Sequence, residues 1–216
     1  MYIIMLLIKI VIFLICLICL INKTDLVKGR FQANIFLFFT NLSILLCLLF
    51  YGFDICCYIK SGNENILLLN LKGAVILYTF ITMIVYNFIL VPKHRNTGIR
   101  HEFYSLQDTA IHCVVPILVL LEWLMTRKSA ISANAPMMWL SVPFAYFLVA
   151  MIKGKFKLGS KFEYADSYYP YFFIDIDKAG LKKVAINVII LFAVFLALGY
   201  LIFIIDCLGG DAIAAG

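Results

Sequence analysis

Gln107–Thr126, QDTAIHCVVPILVLLEWLMT, is the stretch on which the reading of the whole chain turns. Its apolar run is long enough to cross a bilayer, since about 20 helical residues span roughly 30 Å of hydrocarbon. Yet His112 lies close to the start of that run, with Asp108 a turn before it and Pro116 a turn after. An ionisable group in a membrane helix is costly to desolvate, so it faces the bundle interior or a water-filled cavity and is a functional candidate by default. The other histidines, His94 and His101, fall in the polar loop ahead of the run. A packed histidine bonded to a neighbouring helix fits the same pattern, and spacing alone leaves both readings open.

The rest of the chain has the same character. It has 216 residues, 64% of them hydrophobic and 14% charged, with a mean hydropathy of +1.02. Those values exclude an ordinary soluble domain. Lipid-exposed backbone must satisfy its hydrogen bonds within each segment, so long apolar runs predict helices. The expected fold is all-α, a single bundle of six transmembrane helices spanning about 2–21, 31–58, 66–91, 107–126, 137–152 and 181–205. Pro92 is expected to end the third span, Pro143 to break the fifth, and Asp206 with Gly209-Gly210 to end the last.

Polar residues mark inward faces on these spans. Thr40, Ser43 and Cys47 follow i, i+3, i+7 spacing in the second, and Tyr51, Asp54 and Tyr58 repeat it further along. Such stripes are what helix–helix contacts in membranes use. A threonine there most often bonds a carbonyl of its own helix, so Thr40 taken alone reads as structural. Tyr78, Thr79, Thr82, Tyr86 and Asn87 give the third span a polar side.

Charge sets the expected topology. Connectors one, three and five carry thirteen Lys and Arg, against four (Lys60, Lys72, Arg127 and Lys128) on the opposite side. The positive-inside bias then places the odd connectors in the cytoplasm and both termini outside. The net charge of +6 gathers in short loops and does not describe a nucleic-acid binder. Lys153, Lys155, Lys157 and Lys161 suit anionic lipid head groups. The aromatic segment after them, Tyr164–Ile176, is expected to be ordered at the membrane surface over a cavity mouth. Cys16-x-x-Cys19 inside an apolar run reads as packing; no metal, cofactor or disulfide framework is expected.

Thr40 and His112 both lie near the odd-connector side. With the second span starting at Phe31, their depths differ by about 6 Å at 1.5 Å per residue. Two such groups in one small bundle could meet.

Four pieces in order, FFTNLSILL (Phe38–Leu46), VYNFILVP (Val85–Pro92), HCVVPILVLLEWLM (His112–Met125) and YYPYFFIDIDKAG (Tyr168–Gly180), carry a resemblance. The chain resembles the six-span androgen-induced and androgen-dependent membrane hydrolases of animals, and more closely their bacterial relatives. The likeness covers about residues 30 to 190. It implies hydrolysis of fatty acid esters of hydroxy fatty acids, with a threonine nucleophile at Thr40 and a histidine at His112. One departure is Glu122 before Trp123, where many relatives carry aspartate, and it lies toward the other membrane face. On this reading Asp108 or Asp175 would orient the imidazole, and Asn41 or Asn87 would donate to the oxyanion. A plasma-membrane location in a bacterium goes with the resemblance. A small transporter or channel, or a non-catalytic scaffold, are the competing readings, the first weakened by the lack of evident paired intramembrane acids. The spacing leaves the oligomeric state open.

Overall fold

The computed structural model describes residues 2–29, 31–63, 65–93, 105–126, 130–162 and 166–214. Arg30, His94, Arg95, Arg100, His101, Arg127, Lys128 and Tyr164 lie outside the described residues. Among those described, six helices are long and apolar enough to cross a membrane. They are α1 (Tyr2–Lys23), α2 (Phe39–Ser61), α3 (Leu67–Lys93), α4 (Leu106–Leu124), α5 (Ala135–Lys155) and α6 (Leu181–Ala214). The chain is an all-α integral membrane protein.

The most enclosed helix is α3, which packs against α2, α4, α6 and the start of α5. Helix α1 packs on α2 and α4. Close approach of α5 to α3 depends on Gly73: a Cβ there would stand 2.2 Å from the Trp139 ring. The outer faces carry exposed Leu, Ile and Phe such as Ile18, Phe53, Phe88 and Ile189. Apolar exposure of that extent suits a lipid-facing surface.

Helix ends differ from the sequence expectation for definite reasons. The second span was expected from Phe31, but α2 begins at Phe39. Ala33–Leu37 is a 3₁₀ turn, and Asn41 Nδ2 donates to Ile35 O at 2.8 Å, holding that turn against the helix start. The last span does not stop at Asp206. Its carboxylate accepts the N–H groups of Ala130 and Ile131 at 2.8 and 2.9 Å, so the buried acid is satisfied and the helix runs on.

Prolines explain the other irregularities. A proline cannot donate to the carbonyl four residues earlier. Helix α5 breaks at Leu140 rather than at Pro143 itself, and the Trp139 carbonyl freed by Pro143 accepts the Tyr78 hydroxyl at 2.8 Å. Helices α3 and α4 respond differently: each contains a π-helical segment, Val85–Leu90 and Ala110–Val114. Each segment ends two residues before a proline, Pro92 and Pro116. Helix α3 is described as far as Lys93, one residue beyond Pro92.

The described part of the fifth connector is tucked in. Tyr169, Tyr171, Ile174 and Asp175 are buried. Gly154 makes room for the Tyr169 ring, which a Cβ would meet at 2.1 Å. Asn187 of α6 donates to Phe173 O at 2.9 Å, fixing the connector to the bundle.

Candidate functional site

The two π segments face each other. His112 is buried, and its ring stacks on Tyr86 with centroids 3.6 Å apart and planes 9° from parallel. Across the same junction Asn87 Nδ2 stands 4.0 Å from Cys113 Sγ. Widened turns of this kind recur at functional sites, because they re-aim side chains that a regular helix would hold elsewhere.

His112 Nδ1 lies 2.9 Å from the Asp108 carbonyl. A carbonyl only accepts, so Nδ1 carries the proton in the neutral ring and Nε2 keeps a lone pair. The Asp108 group that holds Nδ1 is the main-chain carbonyl; the carboxylate stands 3.6 Å from Lys23 Nζ.

Thr40 occupies the second position of α2, at the head of an apolar cavity enclosed by α2, α3, α5, α6 and the fifth connector. Phe39, Ile81, Phe147, Phe173 and Phe195 form apolar walls. Its polar atoms come chiefly from Thr40, Thr82, Tyr86, Tyr146 and Tyr171. Phe39 and Tyr86 line it, whereas Phe36 packs on the core outside it. Tyr86 is shared, since it lines the cavity with Thr40 and stacks on His112. The connector supplies Tyr171, Phe173 and Ile174 to the wall.

Tyr171 closes the head of the cavity. Its hydroxyl accepts the Phe39 N–H at 3.1 Å, one of the amides that a helix start leaves without an internal partner. The Thr40 and Tyr146 hydroxyls are within hydrogen-bonding reach of the same oxygen. Burial pushes the Tyr171 phenol up from its ordinary pKa, opposed by these hydrogen bonds, so it is protonated at neutral pH.

Other predicted positions serve the fold. Asp175 accepts from Ser167 Oγ at 2.7 Å and from Lys178 N at 3.1 Å, ordering the connector and capping its short helix. Asn41 gives its amide to Ile35 O, and Asn87 gives one to Met83 O at 2.8 Å. Lys153 departs from the head-group role expected of it. It is buried, donates to Leu158 O and Ser160 O at 2.9 and 3.0 Å, and lies over the Phe162 ring. Lys161 pairs with Asp166 at 2.9 Å, while Lys155 and Lys157 are exposed.

A second polar centre was missed from the sequence. Lys9, Asp54, Lys72 and Glu122 meet between α1, α2, α3 and α4, each at most 1% exposed. Lys9 Nζ bonds Asp54, both lysines stand 2.8 Å from Glu122 Oε1, and Lys72 is 3.9 Å from Asp54. Tyr51 donates to Glu122 Oε2 at 3.1 Å, and Tyr58 lies under Lys9 with 5.1 Å to its centroid. Lys72, counted with the outer loops, is therefore an interior residue, and paired intramembrane acids do exist.

No family model, curated protein or solved structure matches this chain.

Proposed function

We propose that this protein is an intramembrane hydrolase of lipid esters, with Thr40 as nucleophile and His112 as base. Fatty acid esters of hydroxy fatty acids are the substrate class that the resemblance implies. The observation that carries the reading is the placing of Thr40 at the polar head of an otherwise apolar cavity. Acyl chains require a slot with few polar groups, and an ester requires a hydroxyl at its end. His112 does not line that cavity; it stacks on Tyr86, which does, and its Nδ1 is held by the Asp108 carbonyl.

The chemistry would take two steps. Thr40 Oγ attacks the ester carbonyl carbon as His112 Nε2 removes its proton, and that proton passes to the departing alcohol oxygen. Water then attacks the acyl-threonine, giving up a proton to His112, and the Thr40 oxygen leaves and regains it. One ester and one water become one acid and one alcohol.

On topology, the odd connectors would be cytoplasmic and the termini outside, in a bacterial plasma membrane. With Lys72 withdrawn into the bundle, only Lys60, Arg127 and Lys128 oppose thirteen cations. Lys155 and Lys157 are the exposed candidates for anionic head groups. Transport would find a motive in Asp54 and Glu122, yet each carboxylate is held by a lysine, and neither lines the cavity of Thr40.

The test is covalent labelling of purified protein by a fluorophosphonate hydrolase probe. Wild type should label and Thr40→Ala should not; equal labelling would end the reading.

A further inference from the structure

The inference concerns what stabilises the carbonyl oxygen, and it rests on the hydrolase reading above. The groups first expected there have other bonds: the amides of Asn41 and Asn87 are given to Ile35 O and Met83 O. The head of the cavity offers a different group. Tyr171 lines the cavity beside Thr40 and is only 9% exposed. It comes from the fifth connector, 132 residues along the chain from Phe39, whose amide it caps.

A phenol has one O–H to donate and lone pairs to accept with. The Phe39 N–H occupies an accepting site on the Tyr171 oxygen. The Tyr146 hydroxyl gives its own proton to Leu37 O at 2.8 Å. With that proton committed, the Thr40 hydroxyl and the Tyr146 oxygen are both within reach of the Tyr171 O–H, and Tyr171 lines the cavity. Ring packing fixes where the phenol oxygen sits. Tyr171 stacks on Phe173 with centroids 5.1 Å apart and meets Phe38 edge-on at 6.2 Å.

We infer that the Tyr171 O–H is the oxyanion donor, passing from Thr40 to the ester carbonyl oxygen when a lipid ester fills the cavity. As the Thr40 oxygen bonds to the carbonyl carbon, the C=O π pair moves onto oxygen, and that oxygen accepts the Tyr171 hydrogen bond. When the C–O bond to the alcohol breaks, the pair returns to the carbonyl and the hydrogen bond relaxes. The proton stays on Tyr171 throughout. Its burial among rings keeps the phenol neutral, as such a donor must be, and its oxygen is held by the amide that starts the helix bearing Thr40.

The experiment compares wild type, Thr40→Ala, Tyr171→Phe and Tyr78→Phe, purified in lipid, on one fluorogenic long-chain ester. It reads kcat, KM, fluorophosphonate labelling rate and thermal midpoint. Loss of one oxyanion donor costs about 10²–10³-fold in kcat. Tyr171→Phe should show a fall of that size with KM within about twofold, slowed labelling and a midpoint near wild type. Tyr78→Phe should keep kcat within about fivefold, since its proton serves Trp139 O and it does not line the cavity. Wild-type kcat in Tyr171→Phe, alongside an inactive Thr40→Ala, overturns the Tyr171 assignment and leaves the hydrolase reading standing. A kcat loss in Tyr171→Phe matched by an equal one in Tyr78→Phe also overturns it, because the effect would then belong to packing around the start of α2. Wild-type turnover in Thr40→Ala removes both readings together.

Discussion

Two polar centres share helix α2, and they are built on opposite principles. Thr40 and Asp54 are fourteen residues apart on it, about 21 Å of helix axis. Around Asp54, two acids and two lysines neutralise one another in full burial, and Tyr51 adds a donor. Around Thr40 the formal charges are gone, and hydroxyls and a helix start border an apolar cavity. The first arrangement leaves little for a ligand to do, because the groups answer each other. The second leaves hydroxyl groups bordering a space. A buried charge cluster is therefore weak evidence of activity, whereas an apolar cavity with a hydroxyl head is a place for chemistry.

The sharpest break in that contrast is made at His112. His112→Ala should lower lipid ester turnover by about 10²–10⁴-fold, the range for loss of a positioned base. It should barely add to Thr40→Ala, since nucleophile and base act as one unit. Steady-state kinetics on both single variants and the double variant check this. Effects that multiply would separate the two residues and put His112 back among the packing groups.

Next in size is Glu122→Gln, which keeps the shape and the oxygen that Tyr51 needs but leaves two lysines to share Asp54. Removing one partner of a buried pair costs about 3–5 kcal/mol. Thermal or denaturant unfolding in lipid should show that loss, with turnover per folded molecule unchanged. Full stability with reduced turnover would mean that the charge centre takes part in the chemistry.

The sequence made some of this visible and hid the rest for physical reasons. Apolar length alone counts the spans, because lipid imposes it. The spacing of Tyr51, Asp54 and Tyr58 marks an inward stripe, and all three are buried. Lys9 and Lys72 were invisible because a lysine near a helix end normally snorkels to water, and what turns these two inward lies on other helices. A signal did exist: both lysines lie toward the N-terminal ends of their helices and Asp54 and Glu122 toward the C-terminal ends of theirs, so in consecutive spans of alternating direction all four fall on one side, and their charges cancel. The depth comparison that brought Thr40 and His112 together used a wrong boundary. With α2 starting at Phe39, Thr40 lies one residue past its helix start and His112 six past Leu106. Tyr86 brings their surroundings together, through π segments that no apolar pattern reveals.

A smaller effect sharpens the cavity side. Gly154→Ala would drive a methyl into the Tyr169 ring and push on the connector that carries Tyr171. Overpacking of this kind costs about 1–3 kcal/mol. Amide exchange in lipid should quicken across the described connector, and turnover should fall with it. Faster exchange with turnover intact would show that the connector does not order the cavity head.

The smallest expected change tests the charge centre most directly. Lys72→Met leaves the four-residue cluster one positive charge short, and Glu122→Gln leaves it one negative charge short; either alone strands a buried ion. Made together they remove one charge of each sign and leave Lys9 paired with Asp54. Replacing a buried ion pair by uncharged groups of similar volume is often close to neutral. The double variant should therefore unfold within about 1 kcal/mol of wild type, although each single variant loses several times that. The difference, read as a double-mutant cycle, is the coupling between the two side chains. A double variant as unstable as Glu122→Gln alone would show that packing around Glu122, rather than its charge, holds α1 to α4 together. A stable double variant that has lost lipid ester turnover would erase the contrast between the two centres, because the charges would then be acting on Thr40 from the far half of the bundle.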